Sequence, residues 1–225
     1  MGILSQLLDL FFPPRCAACK AEGDFLCKNC VQKFRIKPIK ASSRNPSSED
    51  FQFLDGVIYG ADYAGNPEIQ AAISQFKYKF NRELTGHFAE LVSQKLSELG
   101  MLKNKRAVLV PVPLHKKRLN YRGFNQAELI AHAAAAGYGE GAEVRYLLIR
   151  VKNTSQQAKL NKKERHWNLH EAFEVTGKLD ELSDKVCFVV DDVCTTGATL
   201  DSCAKVLKDA GLKKVYGLVV ARAFK

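Results

Sequence analysis

The chain has 225 residues, of which 46% are hydrophobic, and this length suits one domain of ordinary size with a small appendage. No apolar run approaches the roughly 20 residues that a membrane-spanning helix needs, so the sequence argues against an integral membrane protein. The formal net charge is +10. Such a charge favours polyanionic ligands, namely phosphates, diphosphate or nucleic acid, although a solvated cationic surface would carry it equally well.

The start of the chain reads as a short amphipathic helix that Pro13 and Pro14 would end. It lacks the basic region of a signal peptide and contains Asp9. We therefore expect a cytoplasmic protein. Residues 1–45 are predicted to form this helix, a metal-binding module and a linker, and residues 46–225 are predicted to form a larger second domain.

Two Cys-x-x-Cys pairs follow the prolines, Cys16 with Cys19 and Cys27 with Cys30. This spacing is typical of two knuckles that close a tetrahedral zinc site. Four thiolates leave no open position for water, so the zinc would be structural. An iron–sulfur cluster is an alternative for four thiolates, whereas a disulfide or a redox pair has no support in the surrounding sequence.

Beyond a turn-rich linker over residues 41–50, strand and helix patterns alternate. Strands are predicted over residues 53–63, 107–112, 145–151, 186–190 and 215–220. Helices are predicted from Asn66–Pro67 onward and over residues 82–99, 124–136 and 200–210, with Gly137 past the end of the third. This alternation predicts an α/β domain with a mostly parallel sheet and helices on both faces.

The most informative stretch is Val189–Thr199, in which an apolar strand ends in Asp191 and Asp192 and a small, hydroxyl-rich loop leads into a helix. The acids would lie at the carboxyl edge of the sheet, where open α/β folds bind ligands. They can accept hydrogen bonds from sugar hydroxyls or hold a divalent metal through water. The loop and the helix N-terminus suit a phosphate. Together they predict a pocket for a phosphorylated sugar, although strand, turn and helix can also be purely structural.

A second motif follows the strand over residues 107–112. Pro111 and Pro113 turn the chain out of the sheet, where backbone amides and a Lys-Lys-Arg cluster could bind a diphosphate. Residues 103–122 and 145–165 each contain seven basic residues, which concentrates the positive charge near these motifs. The polar, basic segment over residues 152–168 is predicted to be a mobile loop that closes over an anion.

The stretch around Asp191 closely resembles the phosphoribosyl-diphosphate motif of type I phosphoribosyltransferases. In combination with Pro-Val-Pro-Leu, Arg-Gly-Phe-Asn-Gln-Ala and the four-cysteine head, the whole chain resembles the ComF family. The resemblance implies a type I phosphoribosyltransferase-like fold behind a small zinc module. It also implies an association with natural competence, the uptake of single-stranded DNA.

By this resemblance, Asp191 and Asp192 would bind the ribose hydroxyls of phosphoribosyl diphosphate. Its 5-phosphate would be bound by the loop residues Thr195, Thr196, Gly197, Ala198 and Thr199. The diphosphate loop would consist of Leu114, His115, Lys116 and Lys117. A Mg²⁺ ion would accompany the ligand and would be held largely through the ligand and water.

The resemblance leaves the reaction open. Purine phosphoribosyltransferases carry Asp where this chain has Thr195, which weakens a base-salvage reaction. The chain is therefore a candidate phosphoribosyltransferase with no assigned catalytic residue and no known acceptor. The alternative is a non-catalytic module that binds single-stranded DNA or other proteins of the uptake machinery through its basic surface and zinc head. A homodimer is expected by analogy with the fold.

Overall fold

The computed structural model describes seven segments of the chain: residues 13–34, 51–79, 81–99, 106–152, 172–177, 179–182 and 184–223. The predicted N-terminal helix, the linker over residues 41–50 and nearly all of the predicted mobile loop lie outside them. The described elements in chain order are helix α1 (Lys28–Gln32), strand β1 (Val57–Asp62), helices α2 (Pro67–Tyr78) and α3 (Leu84–Ser97), strand β2 (Ala107–Pro111), helices α4 (Lys116–Arg122) and α5 (Gln126–Tyr138), strands β3 (Ala142–Val144), β4 (Leu148–Arg150) and β5 (Phe173–Val175), a short 3-10 helix (Asp180–Leu182), strand β6 (Val186–Cys194), helix α6 (Ala198–Asp209) and strand β7 (Val215–Arg222).

Five strands form one sheet in the order β1-β7-β6-β2-β3, and every neighbouring pair in it is parallel. Strands β4 and β5 form a separate antiparallel pair. The predicted parallel α/β sheet is confirmed. Because parallel strands expose their carboxyl ends at one edge, the segments that follow β2 and β6 emerge side by side.

The sheet separates two hydrophobic cores. Helices α3 and α5 pack on one face and α6 packs on the other. Along β6 the side chains alternate between the two cores, with Phe188 and Val190 in the first and Cys187 and Val189 in the second. This alternation explains why the strand reads as a continuous apolar run, as expected for a sheet that is covered on both faces.

Helix α2 begins as its sequence predicts. The Asn66 side chain accepts a hydrogen bond from the backbone N–H of Ile69, and Pro67 occupies the first turn. All four residues of the predicted apolar face are buried, namely Ile69, Ala72, Ile73 and Phe76. The C-terminal turn of α2, with Lys77 and Tyr78, is thereby held against the sheet domain.

The cysteine-containing module packs on the same helix. Its Leu26 and Phe34 share the first core with the buried face of α2. The Gln75 side chain donates a hydrogen bond to the carbonyl of Ala17 at 3.0 Å. The Nε2 atom of His87 on α3 lies 3.4 Å from Oδ1 of Asp24. The module is therefore attached to the sheet domain through α2 and α3.

Three sequence-based boundaries were wrong. Strand β6 extends to Cys194, because β7 continues beside it and pairs with it as far as Arg222. The strand predicted over residues 145–151 is shorter, since only Leu148–Arg150 forms strand β4, which belongs to the small sheet. Helix α5 runs through Gly137, whose lack of a side chain allows close contact with Ser93 of α3. Among the described residues, no helix is both long and apolar enough to cross a bilayer.

Candidate functional site

The two acids of the predicted sugar-phosphate motif lie within β6, near the carboxyl end of its pairing with β7, and not beyond the strand. Asp192 is buried and Asp191 is half-buried. The Asp191 Oδ1 atom accepts a hydrogen bond from the backbone N–H of Asp192 at 2.8 Å. Burial and, after it, the neighbouring Asp192 carboxylate together raise the pKa of Asp191 to about 7, against the opposing effect of the cations of Lys77 and Arg150.

Lys77 of α2 forms an ion pair with this acidic pair, and sequence reasoning did not identify it. Its Nζ lies 2.9 Å from Asp192 Oδ1, and only 24% of its side chain is exposed. Burial alone would lower the pKa of Lys77, but the Asp192 and Asp191 carboxylates outweigh burial and raise it. The ammonium therefore stays charged beside the acids. Its place on an otherwise ordinary amphipathic helix offers no local signal of this contact.

Two arginines from other elements also act on Asp191. Burial lowers the pKa of Arg118 on α4, the nearby Arg122 lowers it further, and Asp191 acts in the opposite direction. Burial and the charge of Arg118 likewise lower the pKa of Arg150 on β4, against the effect of Asp191. The charge of Arg118 thus acts on those of both Arg122 and Arg150, which places the three cations in one cluster. A cluster of this kind favours a ligand with several negative charges.

The predicted phosphate loop joins β6 to the N-terminus of α6. Gly197 has the left-handed conformation with φ of 76° and directly precedes the helix. Thr195 and Thr196 are exposed, and the Thr196 Oγ1 atom accepts a hydrogen bond from the backbone N–H of Ala198 at 3.4 Å. Ala198 and Thr199 form the start of the helix, where backbone N–H groups have no acceptor within the helix and are suited to an anion.

The predicted diphosphate segment lies beside the acids. Pro111 pairs with Val190 across the sheet, so the chain leaves β2 level with the residue that precedes Asp191. Leu114 and His115 are half-buried, and the His115 Nδ1 atom accepts a hydrogen bond from the backbone N–H of Lys117 at 3.3 Å. Lys116 and Lys117 are exposed in the first turn of α4, so half of the predicted loop is helical.

The four cysteines of the N-terminal module form one cluster. Their Sγ atoms all lie within 4.8 Å of one another, and those of Cys19 and Cys27 are 3.6 Å apart. Tetrahedral zinc with Zn–S bonds of about 2.3 Å requires similar sulfur separations, about 3.8 Å, so the donor set fits the ion. Burial tends to raise the pKa of Cys16, but hydrogen bonds from the backbone of Cys19, Cys27 and Ala18 lower it to about 6. Burial raises the pKa of Cys30.

Family comparisons match two parts of the chain. Residues 7–42 match the double zinc ribbon domain, and residues 119–223 match the phosphoribosyl transferase domain. The chain is thus a zinc-ribbon protein with a phosphoribosyltransferase-like α/β domain. Since the matched ribbon segment contains four cysteines, all of them in the cluster, we assign one structural zinc to it.

Comparison with curated proteins finds relatives that are named as competence and DNA utilization proteins. Competence protein F of Haemophilus influenzae is 34% identical over 115 residues, which are 51% of this chain and 50% of that protein. Competence protein ComFC of Bacillus subtilis is 34% identical over 149 residues, 66% of this chain and 57% of that protein. DNA utilization protein YhgH of Salmonella typhimurium is 28% identical over 207 residues, 90% and 80% of the two chains. The chain is similar to the ComF-type proteins, and it spans about half the length of the first two relatives.

One solved structure is loosely similar. A hypoxanthine phosphoribosyltransferase from Staphylococcus aureus matches 63% of this chain and 64% of its own, with 10% sequence identity and a TM-score of 0.41. A likeness of this degree supports no conclusion about substrate or reaction.

Proposed function

We propose that the protein binds phosphoribosyl diphosphate together with Mg²⁺ at the carboxyl edge of its sheet, and that it serves DNA uptake in natural transformation. The first part rests on the order of acids, loop and helix N-terminus from β6 to α6. Beyond Asp191 and Asp192, β6 ends at Cys194, and a short loop then leads to the left-handed Gly197 and the N-terminus of α6. The relatives named as competence proteins support the second part.

Each part of the ligand has a matching group in the site. The carboxylates of Asp191 and Asp192 would accept hydrogen bonds from the ribose hydroxyls. The loop over residues 195–199 would bind the 5-phosphate through backbone N–H groups and hydroxyls. Residues 114–117 with Arg118 would bind the diphosphate.

The adjacent carboxylates also suit a hard cation. Mg²⁺ prefers oxygen ligands and retains several waters, so a half-buried and a buried carboxylate that lie beside a diphosphate segment fit it. When bound, the ion would neutralise diphosphate charge. A transfer reaction at this site would displace diphosphate from the anomeric carbon, and the protein would act by positioning and charge stabilisation. No catalytic base and no acceptor are assigned.

Isothermal titration calorimetry tests this proposal. Phosphoribosyl diphosphate with Mg²⁺ is titrated into the wild type, the double variant Asp191→Asn/Asp192→Asn, and the control Asp209→Asn, which alters an exposed acid at the end of α6. We expect saturable binding by the wild type and the control and a loss of at least about tenfold in the double variant, since each charge-assisted hydrogen bond contributes about 1.5–3 kcal/mol. Absence of binding by the wild type contradicts the proposal.

A second candidate function is binding of single-stranded DNA, and helix α4 favours it. None of the seven residues of α4 is buried, and four of them are Lys or Arg. Tyr121 on this helix is 73% exposed and Tyr78 of α2 is 60% exposed, with the Arg122 guanidinium 5.5 Å from the Tyr78 ring centroid. Exposed aromatic rings among cations are the elements that bind single strands by stacking and phosphate attraction.

Fluorescence anisotropy with a labelled oligothymidylate of about 20 nucleotides tests the second candidate. The variant Lys116→Ala/Lys117→Ala/Tyr121→Ala is compared with Lys213→Ala/Lys214→Ala, which removes two exposed lysines elsewhere. Selective loss in the α4 variant supports this surface. Equal loss in both variants indicates binding by total charge alone. A homodimer, contacts with other uptake proteins and a cytoplasmic location stay predictions.

A further inference from the structure

Each acid of the pair uses one oxygen to hold its own position. Asp191 Oδ1 accepts the backbone N–H of Asp192, and Asp192 Oδ1 is paired with Lys77 Nζ. Among the described residues, no hydrogen bond or ion pair involves the Oδ2 atom of either carboxylate. Each carboxylate therefore has a second oxygen available for a hydroxyl donor of a sugar.

The ammonium that holds Asp192 comes from a rigid part of the protein. Lys77 follows Phe76, which is fully buried and packs edge-on against Phe88 with ring centroids 5.2 Å apart. The same turn of α2 is joined to the cysteine-containing module through Gln75. The helix backbone at Lys77 is therefore fixed by packing, and the Lys77 side chain is itself only 24% exposed.

The negative charges of Asp191 and Asp192 explain why a cation beside them is favourable. Two adjacent carboxylates removed from water repel each other, and the repulsion grows as the local dielectric constant falls. The Lys77 ammonium lies against Asp192 and acts electrostatically on Asp191 as well. The ammonium therefore supplies, next to Asp192, positive charge that offsets the repulsion between the two carboxylates.

We propose that Lys77 is a positioning residue of the sugar-phosphate site, a built-in cation that balances and orients the acidic pair so that a ribose phosphate binds without a divalent metal. This inference rests on the proposed function, because it concerns the same site. Magnesium is then needed for the diphosphate part of the ligand and not for the ribose 5-phosphate part. Lys77 acts through Asp192 and has no assigned contact with reacting atoms.

Calorimetry with two probes tests the inference. Ribose 5-phosphate, titrated in magnesium-free buffer, reports on the acids and the phosphate loop, and inorganic diphosphate with Mg²⁺ reports on the diphosphate segment. The proteins are the wild type, Lys77→Met, Lys77→Arg and the control Lys79→Met, which removes an exposed lysine two residues further along. Melting temperatures show whether each variant is folded, and Lys77→Gln replaces Lys77→Met if the latter does not fold.

We expect the wild type and Lys79→Met to bind ribose 5-phosphate without magnesium, Lys77→Met to lose at least tenfold in affinity, and Lys77→Arg to retain most of it. Binding of diphosphate with Mg²⁺ should be the same in all four proteins, which a general structural defect would not allow. Equal ribose 5-phosphate affinity in Lys77→Met and wild type overturns the inference. So does a parallel loss of both probes, or wild-type binding of ribose 5-phosphate that requires magnesium.

Failure of the proposed function gives a different result. A wild type that binds phosphoribosyl diphosphate with Mg²⁺, but not ribose 5-phosphate alone, overturns the role of Lys77 and leaves the proposed function intact. A wild type that binds neither ligand with or without magnesium contradicts the proposed function itself, and the inference with it.

Discussion

The ring of Phe51 lies against Gly197 so closely that any side chain at position 197 would overlap it. The same ring also lies beside Arg222, whose guanidinium carbon is 5.5 Å from the ring centroid. Immediately after Phe51, the backbone N–H groups of residues 52–54 donate hydrogen bonds to the buried carboxylate of Asp201 on α6. Gly197 of the predicted phosphate loop is thus in contact with a segment that is distant from it in sequence.

Replacing Gly197 by alanine should therefore do more than strain the backbone. Gly123 has nearly the same conformation, with φ of 69° against 76°, but nothing lies within 4 Å of the position its side chain would take. We expect Gly123→Ala to cost about 1–2 kcal/mol for the left-handed conformation. Gly197→Ala should cost about 2–4 kcal/mol, because overlap with Phe51 adds to that strain. Denaturant unfolding measures both, and equal costs would contradict the contact with Phe51.

Removal of the Asp201 carboxylate should destabilise the fold. Asp201→Ala leaves the N–H groups of Phe53 and Leu54, which donate at 2.8 and 2.9 Å, without their acceptor, and we expect a loss of about 2–4 kcal/mol. Asp209→Ala on the same helix removes an exposed ion pair with Lys205 and should change stability by less than about 1 kcal/mol. Urea unfolding of both variants provides the measurement, and a small effect of Asp201→Ala would contradict this role.

The cysteine cluster should hold one zinc ion per chain. Elemental analysis of the purified protein should find this stoichiometry, and Cys16→Ser should lower it, because the variant lacks one thiolate ligand. The control Cys203→Ala alters a buried cysteine on α6 outside the cluster, and the folded variant should keep the full zinc content. Iron and sulfide in place of zinc would identify the iron–sulfur alternative instead.

The raised pKa of Asp191 makes stability depend on pH. Its pKa is about 7 in the folded chain, against about 3.9 when unfolded, so the folded state binds more protons between these values. The contribution of the protonated group to stability is fully present below about pH 4 and is lost as pH rises through 7. Asp191→Asn removes this loss.

Thermal unfolding between pH 4 and 8 measures the effect. Asp191→Asn should have the same free energy of unfolding as the wild type near pH 4 and a higher one at pH 8, by about 1–2 kcal/mol. Each kcal/mol raises the melting temperature by roughly 2–4 °C. The control Asp184→Asn, at an exposed position, keeps Asp191 and should follow the wild type across this pH range. A variant that gains nothing at pH 8 would contradict the raised pKa of Asp191.

Local patterns were sufficient for the start of α2 and for the parallel sheet. The cap at Asn66 and the buried face of α2 depend on residues within one or two turns, and the sequence shows them directly. Element ends were less predictable, because they depend on neighbours. Strand β6 continues to Cys194 only because β7 continues beside it, and α5 passes Gly137 because that glycine contacts Ser93 on another helix.

By itself, the sequence determined the α/β class, the four-cysteine cluster and the order of acids, loop and helix in the candidate site. Each of these is a pattern of neighbouring residues whose side-chain chemistry and spacing carry the information. The tertiary structure alone decided that Lys77 is paired with Asp192, that Arg150 acts on Asp191, and that Asp201 holds the segment beyond Phe51. These are charge and hydrogen-bond contacts between distant segments, and they arise only when packing of the two cores brings ordinary surface-type residues out of water and against one another.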